Sequence, residues 1–251
     1  FEISTDTKGP VLDTIGHSFN NLYIAQGNRV AIGWLPTGTG RFEGVELFDF
    51  PNTGAVPLVC DASSDFLARP LDVSRFGLLY AGAQKNAGAA GVTIVILSEA
   101  MLESAPADRF AMLSYKAQAA GKSMHNTPPC FSVYVVMLVT RWLRDTIGGL
   151  EAMSALNTRK AGIVYDAIAR SGGFYRAHAD RASRSEMNVT FRLPTPELEA
   201  RFCAEAEALR MVGLRGHRAF GGIRASLYNA LPLVSAHALA GFMADFAGRA
   251  G

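Results

Sequence analysis

Lys85 stands alone among small residues, in Ala81-Gly82-Ala83-Gln84-Lys85-Asn86-Ala87-Gly88. Glycine and alanine let a flat ligand approach the backbone closely. A partly desolvated lysine there has a lowered pKa, and its amine becomes a usable nucleophile. The competing reading is a solvated lysine in a glycine-rich turn. Asp61 bears on that choice. It ends the apolar run Val56-Pro57-Leu58-Val59-Cys60 and is followed by Ala62-Ser63-Ser64. An acid at the carboxyl end of a sheet strand lies where open α/β sheets bind ligands. Asp at a strand exit also serves as a turn or helix cap.

One cofactor demands both groups. Pyridoxal phosphate (PLP) needs a lysine for covalent attachment and an acid against its pyridine nitrogen. The acid keeps that nitrogen protonated, so the ring can accept the electrons of a carbanion. Such a charge-assisted hydrogen bond is worth roughly 1.5–3 kcal/mol. Lys85 and Asp61 are therefore the candidate catalytic pair. A third group follows in the segment Arg215-Gly216-His217-Arg218 and Gly221-Gly222-Ile223-Arg224. The planar fork of arginine matches carboxylate and phosphate, which makes His217, Arg218 and Arg224 a candidate anion site. A solvated basic loop is the alternative.

The elements that must hold these residues are visible as apolar runs. Phe76 to Tyr80 and Val92 to Leu97 read as buried strands of a parallel sheet, with Lys85 between them. Val30 to Leu35 is a further strand. The glycines that follow it do not make a nucleotide fingerprint, because the spacing from Gly40 to Gly44 is too long. Gly121-Lys122-Ser123 is not a P-loop, because Lys116 stands where the first glycine is needed. Thr127-Pro128-Pro129 reads as the entry to a helix. The apolar stretch from Phe131 to Leu143 is too short for a bilayer and contains Arg141, so a buried helix is expected. Gly148-Gly149 breaks it. Residues 150–170 then repeat with helical period, and residues 187–193 alternate as a half-buried strand. Thr195 caps a helix reaching Met211, residues 222–228 form a strand, and residues 232–246 form a last amphipathic helix. The expected fold class is α/β. A large, mostly parallel sheet domain covers residues 1–147, and a small α+β domain covers 148–251.

Composition narrows the function. With 49% apolar and 18% charged residues, the 251-residue chain has an ordinary globular profile rather than a disordered one. A formal charge of +2 argues neither for nucleic acid nor for a membrane surface. Cys60, Cys130 and Cys203 are odd in number and far apart, which points to a reducing, cytoplasmic setting and no disulfide framework. The histidines are scattered, so no metal is expected. No signal peptide is visible, and the chain starts at Phe1 without an initiator methionine.

Several ordered blocks carry a resemblance. They are Asp61-Ala62-Ser63-Ser64-Asp65-Phe66-Leu67, Arg69-Pro70-Leu71-Asp72-Val73-Ser74-Arg75-Phe76-Gly77 and Tyr80-Ala81-Gly82-Ala83-Gln84-Lys85-Asn86. Further on come Asn126-Thr127-Pro128-Pro129, Arg184-Ser185-Glu186-Met187-Asn188-Val189 and Arg215-Gly216-His217-Arg218. The last is Gly221-Gly222-Ile223-Arg224-Ala225-Ser226-Leu227-Tyr228-Asn229. Together the chain resembles the phosphoserine aminotransferases, PLP enzymes of class V with the aspartate aminotransferase fold (fold type I). The likeness is good over residues 56–251 and poor before them.

The resemblance implies amino transfer between glutamate and 3-phosphohydroxypyruvate, giving 2-oxoglutarate and O-phosphoserine in serine and pyridoxine biosynthesis. It implies that Lys85 carries PLP, Asp61 meets the ring nitrogen and Gln84 hydrogen-bonds the cofactor. It implies a homodimer in which Asn126 and Thr127 reach the partner's cofactor phosphate. Thr39 is the nearest match to a threonine beside the cofactor, and Cys130 stands where the family has threonine. His217, Arg218 and Arg224 take the substrate's phosphate and carboxylate, while Arg69, Asp72 and Arg75 tie the strand connection together. The family's glycine-rich phosphate turn, stacking aromatic and His-Arg pair are not recognisable before Asp61. The chain is then either an incomplete stretch or a shortened relative. The alternatives are a truncated, non-catalytic aminotransferase-like module and a PLP enzyme for another acidic substrate.

Overall fold

The computed structural model describes residues 31–34, 53–181, 184–216 and 221–250. Strands β1 (Ala31–Trp34), β2 (Leu58–Asp61), β3 (Leu78–Gly82) and β4 (Thr93–Leu97) form one sheet in that spatial order. β1, β2 and β3 run parallel, so Asp61 and Gly82 end their strands at the same edge. Leu58, Cys60, Leu79 and Ala81 are buried in one cluster with Ala62 and Phe76, as a continuous apolar run in a parallel sheet requires. The connection from β2 to β3 holds a short turn, Val73–Arg75, capped by Asp72, whose carboxylate accepts the Ser74 N–H at 3.0 Å. Arg69 pairs with Asp65 at 3.6 Å in the same connection.

β4 corrects one expectation. It pairs antiparallel with β3, and its residues are partly exposed rather than buried. Residues 83–92 are too few for a parallel crossover, which needs a dozen or more. Lys85 therefore sits in the turn of a wide hairpin.

Helices α1 (Glu99–Ser104) and α2 (Tyr115–Ala120) are each capped by a serine, Ser98 and Ser114. Helix α3 (Cys130–Trp142) starts at Pro129, which makes no side-chain cap, so Thr127 does not open the helix. Among its residues only Ser132 is buried, against the expectation of a buried helix. The apolar run is real, but among the described residues no element buries its face. A widened turn, Leu143–Ile147, ends in Gly148 and Gly149 at φ 93° and 106°. Side chains rarely adopt that left-handed region, so the helix stops there.

Helix α4 (Leu150–Arg170) follows, then a second sheet of β5 (Arg176–Ala177), β6 (Asn188–Arg192) and β7 (Ile223–Ser226), all antiparallel. Helix α5 (Pro196–Ala208) carries the Thr195 cap, which accepts the Leu198 N–H, and a proline in its first turn. Helix α6 (Leu233–Ala250) packs along α4. Their core is aromatic. Phe191, Phe202 and Phe246 are fully buried and meet edge-on, with centroids 5.9 Å and 5.2 Å apart. Asn188 and Thr190, on the other face of β6 from Val189 and Phe191, are buried too. The alternation in β6 thus separates polar from apolar faces, not wet from dry.

Candidate functional site

The parallel register places Asp61 beside Tyr80 at the carboxyl edge of the first sheet. The Asp61 carboxylate is 8% exposed and is held by the residue two places on. Ser63 donates both its N–H (2.9 Å) and its hydroxyl (2.6 Å) to Oδ1. The Ser63 hydroxyl in turn accepts the Gly82 N–H at 2.9 Å, which ties the end of β2 to the end of β3. The cap reading of Asp61 is therefore realised at Oδ1, on the same side chain that the cofactor reading singles out. The Tyr80 phenol is pushed up to about 12, first by burial and then by the Asp61 carboxylate, which accepts its hydrogen bond.

Lys85 is half-buried, and its Nζ donates to the Ser64 hydroxyl at 2.8 Å. Two consecutive serines thus bracket the two candidate catalytic residues. Next to Lys85, Asn86 is buried and donates to the Ser64 carbonyl at 3.1 Å. Its Oδ1 accepts the Asn229 N–H at 3.0 Å. Asn229 donates to the Leu67 carbonyl (2.9 Å) and accepts from Asn157 (2.9 Å), which also donates to the Ala68 carbonyl (3.0 Å). Both turns that carry Asp61 and Lys85 are thereby fastened to α4 and to the segment after β7. Lys160, fully buried, donates to the carbonyls of Leu227 (2.9 Å) and Tyr228 (2.8 Å) in that segment. Burial pulls its pKa down to about 8.

The remaining expected residues are placed less centrally. Gln84 is exposed and lies over Gly82, where an added Cβ would stand 2.6 Å from its Oε1. Asn126 and Thr127 are exposed at the entry to α3, linked by an Asn126 Nδ2 to Thr127 carbonyl contact of 3.4 Å. Arg224 is on β7, opposite Thr190 and half-buried. Thr39, His217 and Arg218 lie outside the described residues. Ser63, Ser64, Asn86, Asn157 and Asn229 were not anticipated as parts of the site. Ser63 and Ser64 follow the strand-end acid directly, and Asn86 adjoins the lysine. That adjacency was the available signal, whereas nothing local marks Asn157.

Beside Lys85 a cavity of about 550 Å³ is lined by Asn86, Gly88, Val135, Leu138 and Trp142, so the apolar face of α3 forms its wall. A larger cavity of about 670 Å³ between α4 and α6 contains none of the candidate residues. Among the described residues no cluster of metal-ligating side chains occurs, and no helix is long and apolar enough to cross a membrane. The acid at a strand end and the amine on the neighbouring turn fit PLP. The carboxylate is buried and pre-oriented by Ser63, and the amine donates to the Ser64 hydroxyl.

The family described as aminotransferase class-V matches residues 21–233. The phosphoserine aminotransferase of Herpetosiphon aurantiacus is 52% identical over 215 residues, covering 86% of this chain and 59% of its own. That of Desulfosudis oleivorans is 51% identical over 210 residues, covering 84% and 58%. The chain therefore spans about three-fifths of the length of these curated relatives. Among solved structures, the phosphoserine aminotransferase of Bacillus circulans subsp. alkalophilus superposes with a TM-score of 0.85 at 45% identity, covering 91% of this chain and 63% of that one. The PLP-bound enzyme of Trichomonas vaginalis gives 0.80 at 32% identity, covering 88% and 62%.

Proposed function

This chain belongs to the class-V aminotransferase family, and from that premise we propose that it serves a PLP-dependent phosphoserine aminotransferase. The amino group passes between glutamate and 3-phosphohydroxypyruvate, giving 2-oxoglutarate and O-phosphoserine. The observation that carries this reading is the pair of serines that holds Asp61 and Lys85 at one sheet edge. Relatives named phosphoserine aminotransferase at about half identity support the substrate.

When bound, PLP supplies an electron sink for the bond broken at the amino acid's α-carbon. Asp61 would hold the ring nitrogen protonated, with its carboxylate oriented by Ser63. Lys85 would anchor the cofactor and would move the proton at the α-carbon as general base and then acid. Its resting partner, the Ser64 hydroxyl, keeps the amine from wandering into solvent. Gln84 and Thr39 are assigned to the cofactor's polar edge. Arg224 is assigned to the substrate carboxylate, and His217 with Arg218 to the phosphate, because two arginines and a histidine exceed what one carboxylate needs.

The working unit in this reading is a homodimer. Phe131 (73% exposed), Tyr134 (53%) and Met124 (62%) are exposed apolar side chains near Asn126 and Thr127 in the chain. A second copy seated there buries these side chains and brings the partner's Asn126 and Thr127 toward a cofactor phosphate. A reducing, cytoplasmic location agrees with free Cys60, Cys130 and Cys203.

Two measurements test the function. The purified protein, supplied with PLP and glutamate, is assayed for 2-oxoglutarate released on adding 3-phosphohydroxypyruvate. Borohydride treatment followed by peptide mapping locates the cofactor. Release of 2-oxoglutarate together with a label on Lys85 is expected. A label on another lysine refutes the site. A label on Lys85 without turnover favours the non-catalytic module.

A further inference from the structure

Glu199 is an acid that none of the roles above employs. It lies in the first turn of α5, where a carboxylate ordinarily faces solvent and the helix dipole. Here the residue is 8% exposed, and its oxygens take donors from outside the helix. Oε1 accepts from Arg192 Nε at 2.6 Å and from the Leu193 N–H at 3.3 Å. Oε2 accepts the Gly222 N–H at 3.0 Å. One side chain thus joins the end of β6 to the point where the chain enters β7.

Gly222 is built for that contact. Its φ is +75°, and a Cβ there would stand 2.7 Å from Arg192 Cδ and 3.1 Å from the Phe191 carbonyl. The Gly222 carbonyl accepts the Gly216 N–H at 2.9 Å. The next residue, Ile223, pairs with Phe191 on one side and bridges Arg215 on the other. Arg224 then donates its N–H to the Leu214 carbonyl at 2.8 Å. The register of β7 against both neighbours begins at Gly222, and a slip of one residue would turn Arg224 to the opposite face.

We propose that Glu199 is a positioning residue for the substrate-anion site: by holding the Gly222 N–H it sets the face of β7 from which Arg224 binds substrate carboxylate or phosphate. This rests on the anion-site reading of Arg224 given above. A carboxylate is required because donors converge on both oxygens. Glutamine offers one acceptor oxygen and turns an N–H group toward another donor.

The test compares wild type, Glu199→Gln and Arg224→Ala, each loaded with PLP, by kinetics and by calorimetric binding of O-phosphoserine. Glu199→Gln is expected to raise KM and the dissociation constant for O-phosphoserine about ten-fold, the loss typical of one charged hydrogen bond. The kcat and the cofactor absorbance should stay near wild type, because the hydrogen bonds of Glu199 go to Arg192, Leu193 and Gly222 and not to the turns that carry Asp61 and Lys85. Wild-type affinity in a folded Glu199→Gln, beside a weakened Arg224→Ala, overturns the inference and leaves the anion site standing. Equal affinity in wild type and Arg224→Ala overturns the anion site itself, and this inference with it. Hydrogen exchange of the wild-type Gly222 amide needs no variant. Protection that rises with O-phosphoserine supports the inference, and exchange unchanged by the ligand refutes it.

Discussion

At the residue scale the site depends on how two ionisable side chains are oriented. Asp61 has Oδ1 committed to Ser63 and accepts a further hydrogen bond from the Tyr80 phenol, and the proposed role gives its carboxylate a protonated ring nitrogen as an additional partner. Asp61→Asn preserves shape but cannot hold that proton. We expect it to retain cofactor while turnover falls at least about ten- to a hundred-fold, the worth of a charge-assisted hydrogen bond. Steady-state kinetics with a parallel absorbance spectrum checks this, and a fully active variant contradicts the role. Arg218→Ala and Arg224→Ala divide the anion site. The first should weaken phosphorylated substrates far more than their unphosphorylated counterparts. The second should weaken any α-carboxylate substrate. Equal losses for all substrates in Arg218→Ala would remove the phosphate assignment.

At the element scale the question is how α4 grips the catalytic turns. Asn157 donates to both Ala68 and Asn229, and both acceptors are buried with it. Asn157→Ala should cost about 2–3 kcal/mol, because truncation strands buried acceptors. Urea titration measures the loss. Lys160, one turn further along α4, gives a pH signature. Burial lowers its pKa from 10.5 to about 8 on folding. Between those values the unfolded chain holds a proton that the folded chain lacks, so this group makes stability rise with pH across that window. The rise is up to about 3 kcal/mol, and below pH 8 the whole cost of burying the charge is present. In Lys160→Met the component should vanish. Urea midpoints for both proteins at pH 7.5, 9 and 10 isolate it, and identical slopes would show that the Leu227 and Tyr228 carbonyls keep the lysine charged.

At the scale of the whole molecule, the apolar face of α3 governs. Phe131, Val133, Tyr134 and Leu138 are exposed on it, and Leu138 also lines the cavity at Lys85 with Val135, Val139 and Trp142 of the same helix. Burying such a face in a dimer joins assembly to catalysis. Light scattering should report a dimer, and a Phe131→Glu, Tyr134→Glu double variant should be monomeric and lose most cofactor affinity. A wild-type monomer with normal PLP affinity would rule the shared site out.

Local chemistry was enough to single out Lys85 and Asp61 as candidates. An amine among small residues and an acid closing an apolar strand are costly placements, and few functions justify both. Helix α4, the Thr195 cap and β7 were legible for the same reason, since period and capping act within a few residues. The environment of α3 was not legible. An apolar run declares that something must cover it, and only the fold shows that the described elements do not. The pairing direction of β4 depended on the length of its connection rather than on its residues. Ser64, the asparagines and Glu199 join the candidate sites only through partners far away in the chain. Asn229 meets Asn86, and Glu199 meets Gly222. A short polar side chain carries no mark of which distant backbone group it will satisfy. That choice is made when buried donors and acceptors must all be paired at once, which only the tertiary structure decides.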